Sequence, residues 1–327
     1  MPSRLSRREW LALSALPAAG FLGWAVRSLA LGSASALAEH SELDLSAIPP
    51  ADLPEFTRLR RLADSIEPLY AKLPPSKPDE WLAKHTELGQ TFAQFLGGRP
   101  TRLVDHYRRI LVVPLGELSR EQRELCANTT DYLERFFGFS VEVHDPVQLE
   151  DLPFGAQRVR ESGERQVLTR HLMQHVLLPL RDVDTAAVVG ITASDLWDGE
   201  FNFLFGQGAA ADRVCICSIA RFGDAKSDGR ATLLRRTIGL ATHETGHVFP
   251  LPHCIAFSCR MNGSNHLAES DARPLEFCPE CLPKIWWTSP VDPRERFEKL
   301  AEFASRHGLK GEAAFWQAAR ERLAAPQ

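Results

Sequence analysis

The 327-residue chain has only three tyrosines and three methionines, and it carries no polybasic block outside its first residues. Nucleic acid is therefore not an expected partner, because binding its phosphates calls for clustered Lys and Arg. An apolar run from Leu11 to Val26 is short and interrupted by Pro17 and Gly20, which argues against a stable membrane span. Neither general disorder nor an extreme charge is present. Charged residues make up 24%, hydrophobic residues 44%, and the net charge is −4, as in an ordinary globular protein. A chain of this length holds one large domain or two small ones.

Residues 1–38 do not read as folded protein. Ser6-Arg7-Arg8-Glu9-Trp10-Leu11 resembles the twin-arginine export motif, the apolar run follows, and Ala36-Leu37-Ala38 fits a small-residue cleavage site. The expectation is a cleaved signal peptide, periplasmic location by the twin-arginine route, and no stable membrane insertion afterwards. The alternative is an uncleaved anchor.

Chemistry concentrates between His243 and Cys281. His243 and His247 are four residues apart, about 400° on a helix, so both imidazoles leave one face roughly a turn apart. That suits two nitrogens sharing one tetrahedral zinc ion. Glu244 points about 100° away and is placed to hold a water rather than the metal. His253 can join only if the chain turns back after Phe249, a break that Pro250 and Pro252 supply. Three nitrogens leave a fourth position open, which is the arrangement of a catalytic zinc. In that reading zinc lowers the pKa of a bound water and Glu244 is the general base.

Cys254 and Cys259 form one cysteine pair, and Cys278-Pro279-Glu280-Cys281 is a CxxC knuckle. Two such pairs fit a closed four-thiolate zinc of structural type. Together the motifs imply two zinc ions, one catalytic and one structural. Cys126, Cys215 and Cys217 read as small core residues, the last two on one face of a strand.

The run HExxHxxxxxHC, then CxxxxC, a methionine two residues later and CxxC resembles the archaemetzincins, a branch of the metzincin metallopeptidases. The resemblance implies that His243, His247 and His253 bind catalytic zinc, with Glu244 as general base. It implies further that Met261 is the methionine of the Met-turn beneath that zinc, and that the four cysteines hold the second. Metzincins usually carry glycine where this chain has Pro250, so the turn leading to His253 must be built differently. All three tyrosines precede the zinc helix, so none follows Met261 to stabilise an oxyanion, as one does in some other metzincins. Asn265 and His266 are near enough in sequence to be considered for that task.

The expected fold class is α/β (α+β): a metzincin-like zincin core with a mixed twisted sheet and an active-site helix, plus helical N- and C-terminal extensions. Segment boundaries are placed at 39–105 for the N-terminal helical segment, 106–287 for the catalytic domain and 288–327 for a C-terminal helical hairpin. In the first segment the sequence predicts a helix over 53–73 and a second from Pro78 to Phe95, with Trp81, Leu82, Leu88, Phe92 and Phe95 on one face. EWLAKHTELGQTFAQFL is similar to a stretch upstream of the core in some archaemetzincins. The core should have strands at 110–115, 139–143, 186–192 and 214–220. Helices are expected from Ser119 to Phe137, at 165–178 and at 230–249. Phe201 to Phe205 reads as an edge strand, of which Asn202 to Phe205 would pair with substrate backbone. Asp292 should cap the first helix of the hairpin and Gly308 end it; the second helix is expected over 312–323.

The function that follows is a zinc-dependent peptidase acting on peptides or proteins, with aminopeptidase-like action as one form. The alternative is a non-catalytic zinc-stabilised binding protein that kept the fold.

Overall fold

In the computed structural model, residues 45–324 are described. The signal-peptide expectation for 1–38 and the ends of the outer segments lie outside them. Eight strands and five longer helices organise these residues. The strands are β1 (Arg109–Leu115), β2 (Ser140–Val143), β3 (Gln157–Val159), β4 (Arg165–Leu168), β5 (Thr185–Thr192), β6 (Asp195–Trp197), β7 (Gly206–Ala209) and β8 (Val214–Ser218). The helices are α1 (Leu53–Ile66), α2 (Arg120–Phe137), α3 (Arg230–Val248), α4 (Pro293–Arg306) and α5 (Lys310–Ala324). No helix among the described residues is long and apolar enough to cross a membrane.

The main sheet has the order β2-β1-β5-β8-β7. Its first four strands are parallel and β7 runs antiparallel to β8, which makes the sheet mixed. The buried strands read as near-continuous apolar runs because both faces are covered. On one face Ile110, Val112, Val189, Cys215 and Cys217 join the larger core with α2 and α3. On the other, Leu111, Val113, Val188, Val214 and Ile216 pack against Leu172 and Leu177. Cys215 and Cys217 thus share a face, as their spacing requires. A second, three-stranded sheet has the order β3-β4-β6.

Helix ends follow their capping residues. Ser119 and Gln122 form a reciprocal capping box at the start of α2, and Gly138 ends it at φ 75°. Asp292 accepts from the N–H groups of Arg294 and Glu295 to open α4. Gly308, at φ 73°, separates α4 from α5. These two helices pack through Phe297, Leu300 and Phe303 on one side and Trp316 and Ala319 on the other, all buried. A buried ion pair ties the hairpin to the cysteine region. Arg296 donates to both Glu276 oxygens at 2.8 Å, and Trp316 Nε1 donates to Glu276 Oε2 at 2.7 Å. A buried pair of this kind adds little net stability, but losing either partner would leave the other charge buried and unpaired.

Several elements depart from expectation. The helix predicted over 53–73 ends at Ile66, followed by a short 3-10 turn to Leu69. The one predicted from Pro78 to Phe95 is two short helices, Trp81–Lys84 and Phe92–Gly97, with an extended stretch between. Thr91 caps the second through a capping box with Gln94, which forces the chain to be extended just before it. Leu88, in the stretch between, is 85% exposed and not on a buried face. Residues 165–178 begin as strand β4, because a turn at Gly163 (φ 87°) pairs β4 with β3; helix follows only from Thr169. Phe201–Phe205 is not a strand. Gln166 Nε2 and Arg158 donate to the Asn202 carbonyl instead, and the outer strand of the main sheet is β7.

Candidate metal centre and cleft

Helix α3 presents His243 and His247 one turn apart, with their Nε2 atoms 3.1 Å from each other. The helix ends at Val248, and the Leu251 N–H donates back to the Gly246 carbonyl at 3.0 Å. This reversal brings His253 alongside, its ring centroid 5.3 Å from His243 and 5.0 Å from His247. Pro250 is tolerated because the helix has already ended and no residue from Phe249 to His253 takes a positive φ. Glycine has no special advantage in a turn of that kind.

The outward nitrogens identify the inward ones. His243 Nδ1 faces the Arg260 carbonyl at 2.7 Å, His247 Nδ1 the Leu251 carbonyl at 2.8 Å, and His253 Nδ1 the Glu87 carboxylate at 2.7 Å. Carbonyl and carboxylate oxygens only accept, so each Nδ1 must carry a proton, and in a neutral imidazole the lone pair is then on Nε2. Burial, with the neighbouring imidazoles adding to it, lowers His243 well below the usual histidine range and His247 to about 4, so both are neutral. Two bare lone pairs 3.1 Å apart repel unless a cation lies between them. Two nitrogens each ~2.0–2.1 Å from a tetrahedral ion stand about 3.4 Å apart, so the donor set fits zinc.

Glu244 is buried, and burial pushes its carboxyl up to about 8. Its side chain lies directly under β7. A Cβ built on Gly206 would fall 2.7 Å from Glu244 Cγ and Oε1, and one on Gly208 would fall 2.5 Å from the Glu244 carbonyl oxygen. Two glycines in alternation let this strand sit on the zinc-motif helix. Gly246 does the same on the opposite side, where an added Cβ would lie 2.4 Å from Met261 Sδ. Met261 is therefore packed against helix α3 at Gly246, fully buried.

A cleft of about 440 Å³ opens over this group. Phe203, Phe205, Phe222, Leu240 and Leu267 make much of its wall, with Gly206, Gln207 and Gly208 along one side. Asn265 also lines it, whereas His266 accepts from the Glu269 N–H at 3.1 Å and caps a short helix. Asp195 and Asp198 are held in ion pairs with Arg221 and Arg170.

Cys254, Cys259, Cys278 and Cys281 form a second group, all buried, with sulfurs within 4.8 Å of one another. Cys254 Sγ and Cys278 Sγ are 3.5 Å apart, near the roughly 3.8 Å that two sulfurs bonded to one zinc would show. The N–H groups of Met261 and Cys278 both point at Cys259 Sγ, at 3.4 and 3.2 Å, as donors do toward a thiolate. His253 and Cys254 are consecutive, yet one faces the cleft and the other the sealed sulfur cluster.

Some contributors lie outside the motif. Glu87 and Trp81 belong to the N-terminal segment, and Trp81 stands edge-on to His253 at 5.1 Å. The strand along the wall is β7; the Asn202–Phe205 stretch also lines the cleft but is not itself a strand.

The sequence model of peptidase family M54 matches residues 166–286. Archaemetzincin-2 of Mus musculus is 28% identical over 281 residues, spanning 75% of this chain and 78% of that protein. Archaemetzincin of Pyrococcus furiosus is 30% identical over 182 residues, 54% of this chain and 91% of that protein. Among solved structures, archaemetzincin from Methanopyrus kandleri aligns at a TM-score of 0.46 and 26% identity, covering 55% of this chain and 94% of that one. Fold, site and relatives together define a zinc metallopeptidase, a hydrolase. Within that class, the chain belongs to the archaemetzincin family.

Proposed function

We propose that the protein hydrolyses peptide bonds with His243, His247 and His253 holding a catalytic zinc and Glu244 acting as general base. A second zinc is assigned to Cys254, Cys259, Cys278 and Cys281, two ions per chain in all. The observation that carries this reading is the convergence of three histidines, with one ring nitrogen of each within 4.8 Å of the others, beside the buried Glu244 at the floor of an open cleft. Zinc at the three-histidine site would supply Lewis acidity to a carbonyl oxygen and to a water. Glu244 takes the proton of the attacking water on a carboxylate oxygen and delivers it to the leaving amine. The raised proton affinity that burial gives this carboxylate makes it the stronger base. Substrate backbone is assigned to the exposed side of β7, and the phenylalanine-rich wall favours apolar side chains beside the scissile bond.

The test is Glu244→Gln, assayed on a peptide library with zinc content measured alongside. Loss of turnover by about 10²–10⁴-fold at unchanged zinc content is expected. Undiminished hydrolysis would remove Glu244 from the mechanism. Comparing free with N-terminally blocked peptides reads out the aminopeptidase-like mode, which requires that only the free forms be cut.

We further propose export of residues 39 onward by the twin-arginine route, on the strength of Arg7-Arg8 and Ala36-Leu37-Ala38. That route carries folded proteins, so the thiols would meet zinc before an oxidising compartment. Replacing Arg7 and Arg8 by lysine should leave the precursor in the cytoplasm; unchanged export rules the route out.

A further inference from the structure

We propose that Glu87, outside residues 166–286 matched by the M54 sequence model, is a positioning residue that holds His253 in place as a metal ligand. This rests on the three-histidine reading above.

The three histidines are not held alike. His243 and His247 ride on α3, and their Nδ1 partners are main-chain carbonyls within the same region, at Arg260 and Leu251. His253 sits beyond the helix, after a reversal, and its Nδ1 partner is a side chain 166 residues earlier. A carboxylate is a stronger acceptor than a carbonyl, so it fixes the ring and raises the donor strength of the opposite nitrogen. The one histidine outside the helix thus carries the strongest outer partner.

Glu87 is itself fixed. Its Oε1 also accepts from Trp81 Nε1 at 2.8 Å. The strap carrying both residues is clamped at several points along its length. The Trp81 N–H donates to Glu269 Oε1 at 3.0 Å, and the Phe92 N–H to Glu280 Oε2 at 3.0 Å. Lys284 Nζ donates to the Gln90 carbonyl at 2.6 Å. Gly263 gives the Trp81 ring room just after Met261; a Cβ there would lie 2.4 Å from Trp81 Cδ1. Gly89, at φ 63°, lets the strap lie against Ile255. Four of the strap's partners, Ile255, Gly263, Glu269 and Glu280, lie within the zinc-motif region. The strap is thereby built into the site.

The experiment measures zinc affinity by chelator competition for the parent, Glu87→Ala, Glu87→Gln and His253→Ala. Melting of each protein in its one-zinc form, with the cysteine-held ion retained, and the visible spectrum of each after cobalt is added to that form are recorded alongside. Glu87→Ala is expected to weaken the more weakly held zinc by about 10–100-fold and alter the cobalt spectrum, while melting of the one-zinc form stays at the parent value. Glu87→Gln, which keeps an oxygen acceptor, should fall between parent and alanine. Parent-like affinity and spectrum in Glu87→Ala overturn the inference, as does a loss matched by an equal loss of stability in the one-zinc form. If Glu87→Ala does not fold, parent-like affinity in Glu87→Gln overturns it. His253→Ala separates the two levels. Zinc loss there without loss in Glu87→Ala removes only Glu87, whereas no loss in either removes the three-histidine reading as well.

Discussion

The two donor clusters share a peptide bond but are built on opposite plans. The histidine cluster is half-buried, lies under an open cleft and takes its orientation from hydrogen bonds to outer partners. The cysteine cluster is sealed, and its sulfurs are surrounded by core residues and backbone N–H groups. A site that must admit a substrate cannot be closed by its own ligands, so its geometry has to be set from outside. A site with four ligands from the chain is self-sufficient, and its binding energy becomes folding energy.

That contrast can be broken most directly at the ligands. Cys278→Ser should lower the melting temperature by about 10 °C or more, or prevent accumulation of folded protein. His247→Ala should lower zinc from about two to about one per chain and abolish hydrolysis, with melting shifted by only about a few degrees. Calorimetry with metal analysis on both variants checks this, and equal destabilisation would show the two clusters to be energetically alike. A finer probe is Gly208→Ala. Its Cβ would lie 2.5 Å from the Glu244 carbonyl oxygen and 2.7 Å from His247 Cβ, backbone and stem atoms that cannot swing away. A cost of about 1–3 kcal/mol is expected. Because the wall strand shifts against the histidine cluster alone, activity should fall while the cysteine-bound metal is retained. Urea unfolding, turnover and metal content report the three effects separately.

What the sequence disclosed and what it hid divide along range. The spacing of His243, His247 and the four cysteines is local information, and helix geometry or a knuckle converts it directly into proximity. The alternating strands before α3 were legible for the same reason, through buried apolar runs at β1, β5 and β8. Glu87 was not legible. It lies in an extended strap between two short helices, and although the family-like stretch EWLAKHTELGQTFAQFL contains it, nothing in that stretch refers to His253. The misplaced wall strand has a different cause. Phe201, Phe203 and Phe205 alternate as a strand would, but Arg158 and Gln166 take the Asn202 carbonyl that a ladder would have used. The available signal was the glycine pair at 206 and 208, a period-two mark of close backbone approach. At Pro250 no glycine is needed, since helix α3 ends early enough for an ordinary turn.

The adjacency of His253 and Cys254 also has a thermodynamic side. Two ligand sets joined through one peptide unit cannot be ordered independently, because torsions fixed at one residue narrow those open to the next. Occupancy of either set lowers the entropy lost when the other is filled, and the effect is equal in both directions. With both proposed ions bound, the sealed cluster would act as a silent effector of the open one, setting how readily the three histidines gain or yield their ion.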